Sequence, residues 1–166
     1  MKALLSACCV AMAAASSLTM TGAFAGSTID PPDAQAVLTT TASGVQIYAC
    51  EYDANHALGW KFVRPAATLY DAGGTAVIEH GAGPSWQAND GSRTEGRVIA
   101  QLPSDTPGSV PQLLLAAHST GVHGELSDVR YVQRSHTVGG AMPVAACSVE
   151  HAQGSSPYLA TYTFYR

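Results

Sequence analysis

The sequence predicts an all-β fold, an antiparallel sandwich or barrel of about eight short strands closed by one disulfide. Three observations predict it. From Val45 onward apolar and polar residues alternate in short runs, the period-two pattern of strands with one buried face. The runs are separated by clusters of Gly, Pro, Asn, Asp and Ser, which supply turns. Beyond the N-terminal leader only Cys50 and Cys147 remain, one near each end of the alternating region.

Residues 1–25 read as an export signal. Lys2 gives a positive start, an Ala/Leu/Val/Met-rich run follows, and Ala23-Phe24-Ala25 has the small-x-small pattern of a cleavage site. The run is interrupted by Ser16, Ser17, Thr19 and Thr21 and no charge cluster follows it, so it is not a membrane-spanning helix. Leu5-Ser6-Ala7-Cys8 has the outline of a lipoprotein box, but too few residues precede it to form a hydrophobic region. The mature chain is expected to start near Gly26 and to lie outside the cytoplasm, secreted or periplasmic. Residues 26–43, rich in Ser, Thr, Ala, Pro and Asp, read as an extended or weakly ordered lead-in, with a short helix over Asp33 to Leu38 as the alternative after Pro31-Pro32. Residues 44–166 read as a single β domain.

Within that domain the first run sets Val45, Ile47 and Ala49 on one face and Gln46, Tyr48 and Cys50 on the other. Further runs cover 59–64, 67–71, 75–80, 97–102, 112–118, 129–134 and 158–165. Leu113-Leu114-Leu115 reads as a strand buried on both faces. In the last run Tyr158, Ala160, Tyr162 and Phe164 share a face that belongs to the core. Exported thiols usually pair, and a Cys50–Cys147 bridge would close a loop of about 100 residues and bring the ends of the domain together.

The chain carries 8 Lys and Arg against 12 Asp and Glu, a net charge of −4 without basic clusters, which excludes nucleic acid as a partner. No Gly-x-Ser-x-Gly elbow, His-Glu-x-x-His, phosphate loop or dinucleotide fingerprint occurs, and no cofactor is implied. The sharpest candidate stretch is Glu79 to Ser92. His80 shares its side with Ile78, and the Gly81-to-Pro84 bend presents Trp86 with Asp90 in the next turn. A histidine, an indole and a carboxylate near such a bend would line a small-molecule or glycan pocket, although core packing and turn chemistry explain each of them as well. Arg134 is the fourth binding candidate. Its face, with Arg130 and Val132, reads as wet or salt-bridged, and Asp90 or Asp128 would be its partner. His118, His123 and His136, with Glu125 or Asp128, lack a recognised metal-ligand spacing, so no metal site is assigned.

The combination of Gly44-Val45-Gln46-Ile47-Tyr48-Ala49-Cys50, Trp60-Lys61-Phe62, His80-Gly81-Ala82-Gly83-Pro84-Ser85-Trp86, Val129-Arg130-Tyr131-Val132-Gln133-Arg134 and the closing Tyr158 to Tyr165 resembles a family of exported bacterial and fungal proteins catalogued as domain of unknown function 3455. The resemblance covers nearly all of 44–166 and implies no activity. Two departures stand out: Gln112 replaces an aromatic residue, and Ser135-His136 replaces a more typical Leu-Asn pair. The sequence therefore predicts a noncatalytic binding or structural domain. The alternative is a hydrolytic enzyme or metal-binding protein using His80 and Asp90 near Trp86.

Overall fold

In a computed structural model, which describes residues 28–166, the alternating runs form a closed antiparallel barrel. The export-signal reading of 1–25 falls outside the described residues. The strands are β1 (Ala36–Tyr52), β2 (Leu58–Tyr70), β3 (Ala76–Gly81), β4 (Ser85–Ala88), β5 (Arg93–Leu102), β6 (Gln112–Ser119), β7 (Tyr131–Gly139) and β8 (Gln153–Tyr165). Each pairs with the next, and β8 returns to β1, so the barrel is an up-and-down meander closed on itself. Of the two predicted architectures, sandwich and barrel, the barrel is the one formed.

Alternation decides which residues fill it. Ala42, Tyr48, Leu69, Ile78, Trp86, Leu115, Val132, Tyr158, Tyr162 and Phe164 are buried inside. Outward positions such as Thr41, Ser43, Glu79, Gln87, Arg97 and Gln101 are exposed and polar. Val37, Ile99, Val138 and Leu159 are exposed among them, so the outer face is mixed rather than uniformly apolar. Among the described residues no helix is long and apolar enough to cross a membrane. Leu114 and Leu115 are both buried, as a strand covered on both faces requires. Gln133, opposite Leu114 on the outer face, donates to the Ile29 carbonyl, so the segment before β1 lies over this part of the wall.

Several boundaries differ from the sequence reading; β5 and β8 begin earlier, at Arg93 and Gln153. β1 begins at Ala36, inside the stretch read as a lead-in, and Leu38 is a strand residue rather than the end of a short helix. The runs 59–64 and 67–71 are one strand, β2. The gap between the two runs holds Pro65, which sits where β2 has a hydrogen-bonded neighbour on one side only: β3 pairs with Ala67–Tyr70 and reaches no further. β4 has four residues, too few for alternation to register, and β7 runs on to Gly139 through a bulge. At that bulge His136 has φ 50°, a left-handed conformation that His tolerates. Its backbone N–H donates to Gln112 Oε1, so Gln112 and the Ser135-His136 pair are neighbours.

The sulfurs of Cys50 and Cys147 are joined, with Cα atoms 5.8 Å apart. The bridge fastens the β7–β8 connection to the end of β1. Two hydrogen bonds reinforce it: Tyr48 Oη donates to the Gly140 carbonyl at 2.7 Å and Trp60 Nε1 to the Ala145 carbonyl at 2.7 Å. The opposite end is plugged by buried Leu126 and Val129 from the β6–β7 connection.

Candidate functional site

A row of paired positions runs around the barrel: Gly44 opposite Ala67, Ala67 opposite His80, His80 opposite Trp86. The two smallest residues precede the two largest, and Gly44 lets β1 lie close against Ala66 and Ala67 of β2, where a Cβ would clash. The His80 and Trp86 rings stack at 4.8 Å with 6° between their planes, and Tyr162 packs against both. Gly96 lies beneath the indole, where a Cβ would be 3.0 Å from its six-membered ring and would press on it.

The β3–β4 hairpin is the shortest part of the wall. Beyond it neither Phe62–Pro65 of β2 nor Val98 of β5 has a strand alongside on that side, and the notch opens into a cavity of about 460 Å³ at the disulfide end. Phe62, Val63, Pro65, Val98, Val110, Leu113 and Leu115 give it apolar walls. Gln46, Tyr48, Arg64, His80, Trp86, Arg134 and Tyr162 give it polar groups. An eight-stranded barrel has room for side chains or one small ligand, and this one is filled at the plugged end and hollow at the other.

Two of the polar groups lack protein partners. Gln46 Nε2 and Trp86 Nε1 are both buried donors without an acceptor, on side chains only 2% and 1% exposed. Such groups are costly to leave unpaired, so they mark a place where something else accepts. Arg134 is 8% exposed. Its Nε and Nη2 donate to the Pro111 carbonyl at 3.1 and 2.8 Å. Among the described residues the ion pairs are Arg93–Glu95 and His151–Glu51, and none involves Arg134. Its face is therefore neither wet nor salt-bridged: Val132 and Arg134 point into the barrel, Arg130 lies exposed before β7, and the expected partners Asp90 and Asp128 are elsewhere.

His80 Nδ1 lies 2.8 Å from the Ser85 carbonyl, which can only accept, so Nδ1 carries the proton and Nε2 is left as an acceptor. Burial pushes the imidazole down to about 4, against the pull of the Ser85 hydrogen bond and with help from the Arg134 charge. The sign follows from linkage. A histidine held neutral in the fold and free to charge when unfolded costs nothing above pH 6.5, and the fold loses stability as pH falls from 6.5 towards 4. Wild type is expected to lose about 3 kcal/mol more than His80→Gln across that window. Urea unfolding of both proteins at pH 7 and pH 4.5 checks it, and parallel losses would contradict it. Burial likewise raises the Tyr48, Tyr158 and Tyr162 hydroxyls above the usual phenol range, with the Arg134 charge drawing each partly back.

Of the four binding candidates the structure brings His80, Trp86 and Arg134 together and leaves Asp90 out. Asp90 sits in the β4–β5 turn, at the other end of β4 from His80. Its Oδ1 accepts from Ser92 N and Oγ and its Oδ2 from Glu125 N, which hold its carboxyl below the usual range and pin the plug in place. A His80–Asp90 pair, for hydrolysis or for a metal, is not formed. His118, His123 and His136 are exposed and do not converge. Among the described residues the group with metal-ligand proximity is Glu51, Glu150 and His151, on the surface, where the Glu51 carboxylate raises the His151 imidazole.

Sequence reasoning missed Gln46, Tyr48 and Arg64 as lining residues. A signal for the first two was present: Gln46 alternates with Cys50, and a bridged cysteine marks the inward face. Nothing local marks Phe62 or Val98, because the notch depends on how far β3 and β4 extend.

Fold and cavity together define an eight-stranded antiparallel barrel with a ligand-sized hollow at its disulfide end. Residues 31–166 match the family described as Protein of unknown function (DUF3455), and the chain belongs to that family. No curated protein and no solved structure matches the chain.

Proposed function

We propose that this protein is an exported, noncatalytic binding barrel of the cell envelope or extracellular space that holds one small molecule or glycan unit in the cavity at its disulfide end. The observation that carries the reading is the pair of unpartnered buried donors, Gln46 Nε2 and Trp86 Nε1, on residues that line a hollow with largely apolar walls. A few convergent polar groups on apolar walls are what small-molecule sites share. The leader over 1–25 and the Cys50–Cys147 bridge support export into an oxidising compartment. Hydrolysis is not favoured: His80 is tied to a carbonyl rather than a carboxylate, and at neutral pH its low basicity suits an acceptor more than a proton shuttle.

A thermal-shift screen of small molecules and saccharides tests the reading, with each hit recovered and weighed by mass spectrometry. Hits are expected to raise Tm, to bind more weakly to Trp86→Phe, and to be recovered unchanged. Chemical conversion of a hit would contradict the noncatalytic reading, and hits indifferent to Trp86 would contradict the site. Export predicts a mature N-terminus at or near Gly26, read from the intact mass of the secreted protein.

A further inference from the structure

We infer that the cavity recognises a small monocarboxylate with an apolar body, its carboxylate seated on Arg134. This deepens the binding reading above and rests on it. Arg134 is permanently charged, nine-tenths buried and without a carboxylate partner among the described residues. An unpaired buried charge is among the most expensive features a fold can carry, so its presence calls for an anion. The Pro111 carbonyl takes the side edge of the guanidinium, Nε and Nη2. Tyr162 Oη is a further hydrogen-bond partner of the guanidinium, and the Nη protons left free by it and by Pro111 are those that can meet carboxylate oxygens.

The rest of the lining agrees. It contains two arginines, Arg134 inside and exposed Arg64 at the rim, and no Asp or Glu, although acidic residues outnumber basic ones 12 to 8 in the chain. Gln46 Nε2 and Trp86 Nε1 add two neutral donors without acceptors, whereas a cationic guest would need the opposite. The count of charges selects a monoanion. Arg134 is the one fixed buried cation of the lining, and a buried phosphate dianion would need a second. The Leu113, Leu115 and Val98 walls then take the apolar body.

The test compares three acids with their own primary amides, which match them in shape and lack the charge: benzoate, 3-phenylpropionate and hexanoate, with phenyl phosphate as the dianion. Affinities for the full-length mature protein are measured by calorimetry and by NMR at pH 7. At least one acid is expected to bind at least tenfold more tightly than its amide and more tightly than phenyl phosphate. Arg134→Gln is expected to bring that acid down to its amide, and Arg134→Lys to retain part of the difference. The comparison within wild type needs no variant, so it decides even if Arg134→Gln fails to fold. Equal binding of acid and amide, or tighter binding of phenyl phosphate, would overturn the carboxylate and leave the barrel a binding protein. Failure of all three acids to bind would overturn the inference too, while the screen described above decides the binding reading separately.

Discussion

Replacing Cys50 and Cys147 together by alanine is expected to lower the unfolding free energy by about 2–5 kcal/mol while leaving the barrel closed. The bridge spans 97 positions of sequence, so its removal frees most of the unfolded chain. The folded state has a second means of closure: β1 pairs with β8 from Ala36 to Ala49, a ladder of backbone hydrogen bonds that does not involve sulfur. The strands should therefore persist, with the same circular dichroism, and the urea midpoint should fall. The cost is concentrated at the open end. There the two ends of the β7–β8 connection stay tied by the backbone bonds of Gly140 to Pro157 and of Cys50 to His151 and Ala152, whereas its middle would keep only the Tyr48 and Trp60 hydrogen bonds, so amides around Ala141 to Cys147 should exchange faster. A change below about 0.5 kcal/mol would mean that the unfolded chain gains little freedom from losing the link.

Trp86→Ala is expected to cost about 3–5 kcal/mol and to abolish ligand binding. The indole is 1% exposed, stacked on His80, edge-on to Tyr162 and Phe164, and seated over Gly96. Removing it joins the cavity to the core, and the surrounding rings are fixed by strands that cannot collapse around the void. Trp86→Phe separates packing from recognition. It keeps an aromatic ring in place and removes the unpartnered N–H, so its stability change should stay within about 1.5 kcal/mol. Its binding should still fall, because an acceptor on the ligand loses its donor. Equal binding by wild type and Trp86→Phe would show that Nε1 faces nothing that matters.

The contrast between these two residues shows what was legible. Tyr158, Tyr162 and Phe164 announce their inward face through strict alternation over a long strand, and the pairing of the two cysteines follows from their number and compartment. β4 escapes because four residues hold barely two alternations, and β2 reads as two runs because the tolerance of Pro65 between them depends on a neighbour that stops short. Arg134 shows the limit most clearly. Its charge argues for the wet face, yet Val132 beside it decides the face, since a whole strand turns inward or outward together. Its partners come from distant sequence, the Pro111 carbonyl and Tyr162, and among the described residues no carboxylate pairs with it. His80, Trp86 and Arg134 were each recognisable as unusual; their meeting in one hollow is a property of closure.

The two indole N–H groups offer the most direct test of the central claim, that the hollow beside Trp86 is the working site. Trp60 Nε1 is bonded to the Ala145 carbonyl, whereas Trp86 Nε1 has no protein acceptor. In a ¹⁵N-resolved NMR titration with a hit from the thermal-shift screen, the Trp86 indole signal is expected to move progressively as the cavity fills, and the Trp60 signal to stay in place. A hit that saturates the protein while the Trp86 signal stays fixed would contradict the account.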